Sequence, residues 1–374
     1  MRIVLFCHSL QSCWNHGNAH FLRGIARELL ARGHDVRVHE PVDGWSRLNL
    51  VRDHGEEALL GWRRAYPELS SESYAGLPDL DAALDGADLV LVHEWNPPEL
   101  VAAIGQKRLA GGRFVLLFHD THHRTVSDPE AIRRFVLDGY DGVLAFGACL
   151  AERYRAAGWA KQVRVWHEAA DTRLFRPLPG VEKTGDLVWI GNWGDDERSE
   201  ELEAFLTEPV RALGLAATVY GVRYPETALD ALEEAGIAYR GWLPNHEAPL
   251  AFARHRVTVH VPRRPYVEAL PGIPTIRVFE ALACGIPLVS APWRDTEGLF
   301  PEGSFLLARD GAEMARHLRA ILHDADLRAG LIATGLAAIR ERHSCAHRVD
   351  ELLAIHAGIA GIEKEPGLEL RPCA

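Results

Sequence analysis

The sequence has no long hydrophobic run, no excess of positive charge and no closely spaced cysteine pair. No segment approaches the roughly 20 apolar residues that a membrane-spanning helix requires, so we expect no transmembrane segment, with peripheral membrane contact as an open alternative. The formal net charge of −11 argues against a general nucleic-acid-binding protein, because phosphate backbones attract an excess of lysine and arginine. The six cysteines lack Cys-x-x-Cys spacing, and we expect reduced thiols in a cytoplasmic protein.

Two further absences concern the apolar runs themselves. No Gly-x-Gly-x-x-Gly follows the run Ile3–Cys7 or the run Leu187–Ile190, which argues against an NAD-dependent dehydrogenase. The stretch from Met1 to His8 is too short an apolar run for a signal peptide. We therefore interpret it as the first strand of the fold.

The pattern that is present is an alternation of strands and helices. The length of 374 residues suggests two domains, and the 47% hydrophobic and 25% charged residues are typical of globular proteins. Short apolar runs followed by polar turns and amphipathic helices recur up to about residue 166 and resume after about residue 181. Continuous apolar runs fit strands buried on both faces of a parallel sheet. The fold class predicted is α/β, with two Rossmann-like doubly wound domains facing a cleft.

The same alternation sets the expected boundaries. We expect an N-terminal domain over residues 1–166, with a helical insertion at about 43–80, and a linker over 167–180. The C-terminal domain is expected over 181–345. A C-terminal helix over 346–362 is a candidate for packing back on the N-terminal domain, and 363–374 is expected to be a loose tail. A cleft between two such domains is a usual place for a ligand.

The segment 271–287 has the strongest functional pattern in the chain. It passes from a loop rich in proline and glycine directly into a short helix. Free backbone amides at the start of such a helix form an anion site suited to a diphosphate. Glu280 follows about one and a half turns later among apolar residues, which suggests a contact with paired sugar hydroxyls such as those of a ribose. The alternative is an ordinary capped helix with Glu280 on its wet face.

Two other predicted strand ends offer related chemistry. Gly191 and Asn192 end a strand, and Arg198 follows near the start of the next helix, where its planar cation suits phosphate oxygens. The three acids just before Arg198 could instead hold it in a surface ion pair. Farther on, backbone groups around Leu243 are placed to contact the edge of a base, beside Trp242. A capped helix that starts soon afterwards is compatible with this role.

These three motifs in this order, with the linker segment 171–177, resemble the GT-B glycosyltransferases. More narrowly they resemble the spore-maturation-protein-like (CgeB-like) branch, which is related to the retaining family 4 enzymes. The resemblance covers most of the chain and is strongest over 186–290. It implies that Glu280 holds the ribose of a nucleotide sugar and that Arg198 contacts its diphosphate. The other donor-site residues that it implies are Gly17, Gly191, Asn192, Leu243, Arg263, Gly272, Ile273 and Thr275.

The sequence departs from the family pattern at one position. The broader family often carries two glutamates eight positions apart, the first of which contacts the transferred sugar, and here the first position is Gly272. Two alternatives follow from this. Either backbone amides of the loop hold the sugar, or Glu268 reaches in from a shifted loop.

The N-terminal domain supplies the candidates for acid–base chemistry. His119 follows the fourth predicted strand and is expected to face the cleft, where it can accept a proton or bond to the sugar while Asp120 fixes its tautomer. His93 and Glu94, one strand earlier, form the competing pair. Chance clustering is the alternative, since the chain has 19 histidines. We expect no bound metal and no cofactor, with arginines and helix N-termini neutralising the diphosphate.

The function predicted is transfer of a sugar from a nucleotide-diphosphate sugar to an acceptor, with retention and without a metal. The acceptor, whether glycan, small molecule or protein, is not identified, and neither are the base and the sugar of the donor. The alternatives are a nucleotide-sugar epimerase or phosphorylase of the same fold, and a catalytically degenerate protein that only binds nucleotide sugars.

Overall fold

The apolar runs of the N-terminal half form one parallel sheet of seven strands. The structure is a computed structural model, and it describes residues 1–361. The strand order is β3-β2-β1-β4-β5-β6-β7. The strands are β1 (Arg2–Phe6), β2 (Asp35–Pro41), β3 (Glu72–Tyr74), β4 (Leu89–His93), β5 (Val115–Asp120), β6 (Gly142–Ala145) and β7 (Val163–Val165). Every residue of β4, β5 and β6 is buried, as expected for strands covered by helices on both faces.

Helices connect these strands and cover the sheet. They are α1 (Asn18–Ala31), α2 (Trp45–His54), α3 (Glu57–Ala65), α4 (Leu80–Leu84), α5 (Pro98–Leu109), α6 (Arg124–Ser127), α7 (Pro129–Arg133) and α8 (Ala148–Ala157). Asp79 and Asp128 begin two of the shorter helices, because their carboxylates accept hydrogen bonds from otherwise free first-turn amides. Strand β3 lies within the segment that we expected to be a helical insertion.

The C-terminal half forms a second parallel sheet, with six strands in the order β10-β9-β8-β11-β12-β13. The strands are β8 (Gly185–Ile190), β9 (Ala217–Tyr220), β10 (Ala238–Tyr239), β11 (His255–His260), β12 (Leu288–Ser290) and β13 (Leu306–Leu307). Two separate doubly wound sheets confirm the predicted fold class.

The helices of this half include one π-helical turn (Glu203–Thr207) and one 3₁₀ turn (Asn245–Glu247). The α-helices are α9 (Ser199–Leu202), α10 (Glu208–Leu213), α11 (Glu226–Glu234), α12 (Ala248–Ala253), α13 (Arg264–Glu268), α14 (Ile276–Cys284), α15 (Gly311–His323), α16 (Ala325–Arg342) and α17 (Cys345–Ala360). Helix α16 starts directly after α15, because the Asp324 side chain accepts a hydrogen bond from the Leu327 amide.

The last helix crosses back to the N-terminal domain. Val349 and Leu352 of α17 share a buried core with Phe21 and Ile25 of α1. At Gly24 of α1, an added Cβ would lie 2.5 Å from the Cys345 sulfur, so only glycine permits this approach. Residues 363–374, expected to be a tail, lie outside the described residues. Within residues 1–361, no helix is both long enough and apolar enough to cross a membrane.

Side chains from both domains meet around a central gap. The Asn192 side chain donates to Asn15, and the Arg23 guanidinium donates to Asn245. The Tyr66 hydroxyl also donates to the Asn245 side-chain oxygen, at 3.0 Å. These hydrogen bonds connect the N-terminal domain to the C-terminal domain.

Candidate functional site

A cavity of about 750 Å³ lies between the two sheets. Its walls are built from segments that follow the carboxyl ends of strands in both domains, which is where open α/β sheets bind ligands. Five arginines line it: Arg124, Arg198, Arg223, Arg263 and Arg277. The predicted donor residues on its wall are Gly17, Gly191, Asn192, Arg198, Leu243, Arg263 and Thr275.

Arg198 is a buried cation on this wall. It is 8% exposed, and its guanidinium donates to the carbonyl oxygens of Trp193 and Val261, at 3.3 Å and 2.9 Å. It also lies 5.1 Å from the ring centroid of Trp189. Among the residues of the described part of the chain, no carboxylate pairs with it. Burial, and then the charge of Arg263, lower the pKa of Arg198 to about 9. A cation left uncompensated in this way favours the binding of an anion.

The acids before Arg198 pair with other residues. Glu197 accepts a hydrogen bond from Arg263 at 2.7 Å and lies 3.4 Å from His123. Burial opposes ionisation of Glu197, but His123 and Arg263 outweigh it and lower its pKa to about 2. Asp195 pairs with Arg223 instead, at 2.9 Å. The alternative of a surface ion pair for Arg198 is therefore wrong.

Helix α14 begins at the cavity. Thr275, at its N-cap position, and Ile276 and Arg277, in its first turn, line the wall. The Thr275 side chain makes no capping bond, so the first-turn amides are left for a ligand or a neighbouring side chain. Gly272 has a φ of +93°, and an added Cβ would lie 2.4 Å from the Thr296 hydroxyl, which explains the glycine.

Two residues of the loop before α14 lie away from the cavity wall. Ile273 is 1% exposed and packs into the core of the N-terminal domain, where it prevents any side chain at Gly147. Neither Ile273 nor Gly272 lines the cavity. The expectation that they face the donor is not met, because the loop is used for contact between the domains. Glu268 is exposed at the end of α13 and does not reach in either.

Glu280 lies at the boundary between the domains, fully buried. One carboxylate oxygen bonds to His20 Nδ1 of α1 at 2.6 Å, and the other accepts from Arg277. Burial alone would raise the pKa of Glu280, but Arg277 and His20 outweigh it and lower the pKa below its usual value. Both partners line the cavity, whereas Glu280 does not. The alternative of a wet helix face is wrong.

The loop that follows β8 is shaped by aromatic neighbours. The Gly191 carbonyl accepts from the Tyr224 hydroxyl at 2.8 Å, and an added Cβ would lie 2.7 Å from the Trp189 ring. The Asn192 side-chain oxygen accepts from the Val222 amide at 2.9 Å. Leu243 lies on the same side of the cavity, next to Trp242. These contacts form an apolar wall that carries backbone polar groups.

His119 lies inside the N-terminal domain and not on the cavity wall. It is 1% exposed, with ring centroids 4.8 Å from Trp166 and 5.9 Å from Phe21. Neither of its ring nitrogens has a hydrogen-bond partner within residues 1–361, and burial lowers its pKa to about 3. The expectation that His119 faces the cleft is wrong, because β5 continues through Asp120.

Asp120 does not orient His119. Its carboxylate accepts from the Tyr154 hydroxyl at 2.7 Å and from the His122 amide at 3.0 Å. The competing pair is also enclosed, since His93 is 2% exposed and Glu94 is fully buried. His93 bonds to the Thr121 hydroxyl at 3.1 Å, and Glu94 accepts from Arg124. None of the four predicted catalytic residues lines the cavity.

The residues just beyond β5 face the cavity instead. Thr121, His122, His123 and Arg124 all line it. Burial, and then His123, Arg263 and Arg124, hold the pKa of His122 well below its usual value, so its ring is neutral. Arg124 lies 4.2 Å from the Trp95 ring centroid and is held by Glu94. Correct placement of the end of β5 would have identified these residues from the sequence.

Sequence reasoning also missed Glu168. It lies in the linker just after β7, is 7% exposed and lines the cavity. An isolated acid in an apolar stretch next to a strand end was the available signal. In the part of the chain that the structure describes, no group of three or more His, Cys, Asp or Glu side chains is arranged to hold a metal ion.

Solved structures with this architecture are glycosyltransferases of the GT-B fold. Sucrose-phosphate synthase from Thermosynechococcus elongatus is 14% identical and has a TM-score of 0.66, over 97% of this chain and 100% of that chain. Anabaena HepE in complex with UDP is 16% identical, with a TM-score of 0.65 over 96% and 100%. T4 phage BGT in complex with UDP and Mn²⁺ is 11% identical, with a TM-score of 0.61 over 97% and 100%. At these identities the likeness establishes the fold.

Two protein-family models match the sequence. The model described as "Glycosyltransferase Family 4" matches residues 17–174, and the model described as "Glycosyl transferase-like" matches residues 198–354. A search of curated proteins found no match. The chain is a glycosyltransferase of the GT-B fold, and its N-terminal part is similar to family 4.

Proposed function

We propose that the enzyme transfers a sugar from a nucleotide-diphosphate sugar whose diphosphate lies against Arg198 and the start of α14. The observation that supports this most strongly is the buried guanidinium of Arg198, which faces the cavity with backbone carbonyls as partners and no carboxylate. Arg263 and the α14 amides complete an anion site without a metal. When the bond to the sugar breaks, negative charge grows on the leaving diphosphate, and these groups stabilise it.

The nucleoside part of the donor is assigned to the C-terminal side of the cavity. Leu243 and Trp242 offer an apolar face and backbone groups for the base. Glu280 is assigned to the ribose, and this requires His20 to release one carboxylate oxygen, since both oxygens are occupied. Uridine is the first base to test, because HepE and T4 phage BGT were solved with UDP.

The acceptor is assigned to the N-terminal side. His122 has a neutral ring, and its Nδ1 lacks a hydrogen-bond partner among the described residues, so it can accept a hydrogen bond from an acceptor hydroxyl. Retention of the anomeric configuration, a cytoplasmic location and membership of the spore-maturation-protein-like branch remain predictions from the sequence. Unpaired thiols at Cys7, Cys149 and Cys345 fit a reducing compartment.

The proposed function is tested in two steps. A thermal-shift screen of UDP, GDP and TDP, each with its sugar conjugates, should single out one donor, because a ligand that binds only the folded state raises its melting temperature. The selected donor is then incubated with a panel of acceptors, and the released nucleoside diphosphate is measured with and without EDTA.

Each outcome separates a different function. Release that requires an acceptor and persists in EDTA supports metal-independent transfer. Conversion of the sugar without release indicates an epimerase, and tight binding without turnover indicates a binding protein. Stabilisation by none of these ligands would contradict the proposed donor class. NMR of the anomeric proton in the product then decides between retention and inversion.

A further inference from the structure

Glu168 is a cavity carboxyl held on rigid backbone. The Arg348 guanidinium donates to its carbonyl oxygen at 3.4 Å. The indole of Trp166, two residues earlier, donates to the Arg348 carbonyl at 2.9 Å. Two residues later, the Ala170 amide donates to the His343 carbonyl at 3.0 Å. The linker therefore presents this side chain at a fixed position, as a ligand-contacting group requires.

Asn18, the first residue of α1, lines the same cavity beside Glu168. It is 7% exposed, and within residues 1–361 neither polar atom of its side-chain amide makes a hydrogen bond of good geometry, although the amide lies close enough to Glu168 to favour the ionised form of that carboxyl. Leaving a buried amide unpaired is costly, so both atoms favour a ligand that supplies a donor and an acceptor.

The surroundings of Glu168 suit a neutral polyhydroxyl group better than an ion. Burial, and then the charge of Glu280, raise the pKa of Glu168 to about 8, although Asn18, Arg277 and the Ile276 amide oppose this. A carboxyl that holds its proton near neutral pH can both donate and accept hydrogen bonds. It can also lie next to a diphosphate at the start of α14 without charge repulsion.

We propose that Glu168 and Asn18 form the subsite for the sugar that the enzyme transfers, and that they bond to its hydroxyl groups. This rests on the proposed function, because the diphosphate at Arg198 and α14 places the attached sugar next to it. The two residues belong to the N-terminal domain and the linker, whereas the wall assigned to the base belongs to the C-terminal domain. The pair therefore distinguishes a nucleotide sugar from the nucleotide alone.

The test compares UDP with the UDP-sugar that the wild type binds most tightly among UDP-glucose, UDP-galactose and UDP-N-acetylglucosamine. Calorimetry is done with the wild type, Glu168→Ala, Glu168→Gln and Asn18→Ala. Asp128→Asn is the matched control, because it removes a carboxyl from the same cavity wall while asparagine can still cap α7. Melting curves confirm that each variant is folded, and Glu168→Gln provides the comparison if Glu168→Ala does not fold.

Glu168→Ala and Asn18→Ala should each weaken the UDP-sugar about tenfold, the effect of removing one hydrogen bond, and UDP by less than about threefold. Glu168→Gln should lie between Glu168→Ala and the wild type, and Asp128→Asn should change neither affinity. If Glu168→Ala leaves the ratio of UDP-sugar to UDP affinity unchanged but lowers the melting temperature, then Glu168 only bonds to the first turn of α14. That result would overturn the inference. If the wild type binds neither UDP nor a UDP-sugar, the assignment of a UDP-sugar as donor is wrong, and this inference is overturned with it.

Discussion

Substitution of Arg198 by alanine should weaken the binding of nucleoside diphosphates and leave the nucleoside almost unaffected. The guanidinium is buried, faces the cavity and is bonded only to backbone carbonyls among the described residues. Burial without a carboxylate partner among the described residues leaves its charge uncompensated and lowers its pKa to about 9. A bound diphosphate would provide that compensation.

The size of the effect follows from the charged hydrogen bond that alanine cannot make. A hydrogen bond to a charged group contributes about 1.5–3 kcal/mol, so its removal should weaken affinity by about 10- to 150-fold. Arg264→Ala is the matched control. Arg264 bonds to Glu201 at 2.7 Å and does not line the cavity, so its removal should change affinity by less than about twofold.

Calorimetry with UDP and uridine measures both affinities on each variant, and melting curves establish that the variants are folded. The expected result is a much weaker affinity for UDP with Arg198→Ala, no comparable change for uridine, and no change with the control. A UDP affinity for Arg198→Ala within about threefold of the wild type would mean that the Arg198 charge plays no part in binding.

Three further predictions concern acidic residues in or next to the cavity. Glu280→Gln should weaken UDP about tenfold or more and leave pyrophosphate nearly unchanged, since its contact is to ribose; equal weakening of both ligands in calorimetry would contradict this. The melting temperature of Glu168→Gln should rise relative to that of the wild type as the pH is raised from 5 to 8. The native carboxyl keeps its proton up to a pKa of about 8, so the wild type loses stability as pH rises through that range, and a constant difference would contradict this. Glu197→Gln should cost about 1 kcal/mol at pH 7, because the native pKa of about 2 lies below the unfolded value. Urea unfolding should show this cost fading as pH falls from about 4.5 toward 2, and a cost at pH 2 as large as that at pH 7 would contradict it.

The two-domain architecture could be predicted because its strands are continuous apolar runs. Strands such as Ala217–Tyr220 and Leu288–Ser290 coincide with short apolar runs of the sequence. The short edge strand β3 was missed, since Glu72–Tyr74 has little apolar character and is placed by pairing with β2. Pairing between distant segments leaves no periodicity in the sequence.

The donor side could be predicted better than the acceptor side. Arg198 and Thr275 follow glycine-containing loops, whose local pattern is visible in the sequence. His119 was misplaced because β5 runs through Asp120. His119 and Asp120 therefore belong to a buried strand and not to the loop after it. The pairing of Glu197 with Arg263, and of Glu280 with His20, depends on contacts between distant elements that sequence spacing does not encode.

The central claim is that a nucleoside diphosphate binds between Arg198 and the first turn of α14. A crystal structure of the enzyme with UDP tests it most directly. We predict that the diphosphate oxygens lie within hydrogen-bonding distance of the Arg198 guanidinium and the amides of Ile276 or Arg277. Electron density for UDP elsewhere, with the Arg198 side chain still bonded only to the Asn192, Trp193 and Val261 carbonyls, would contradict the proposed function.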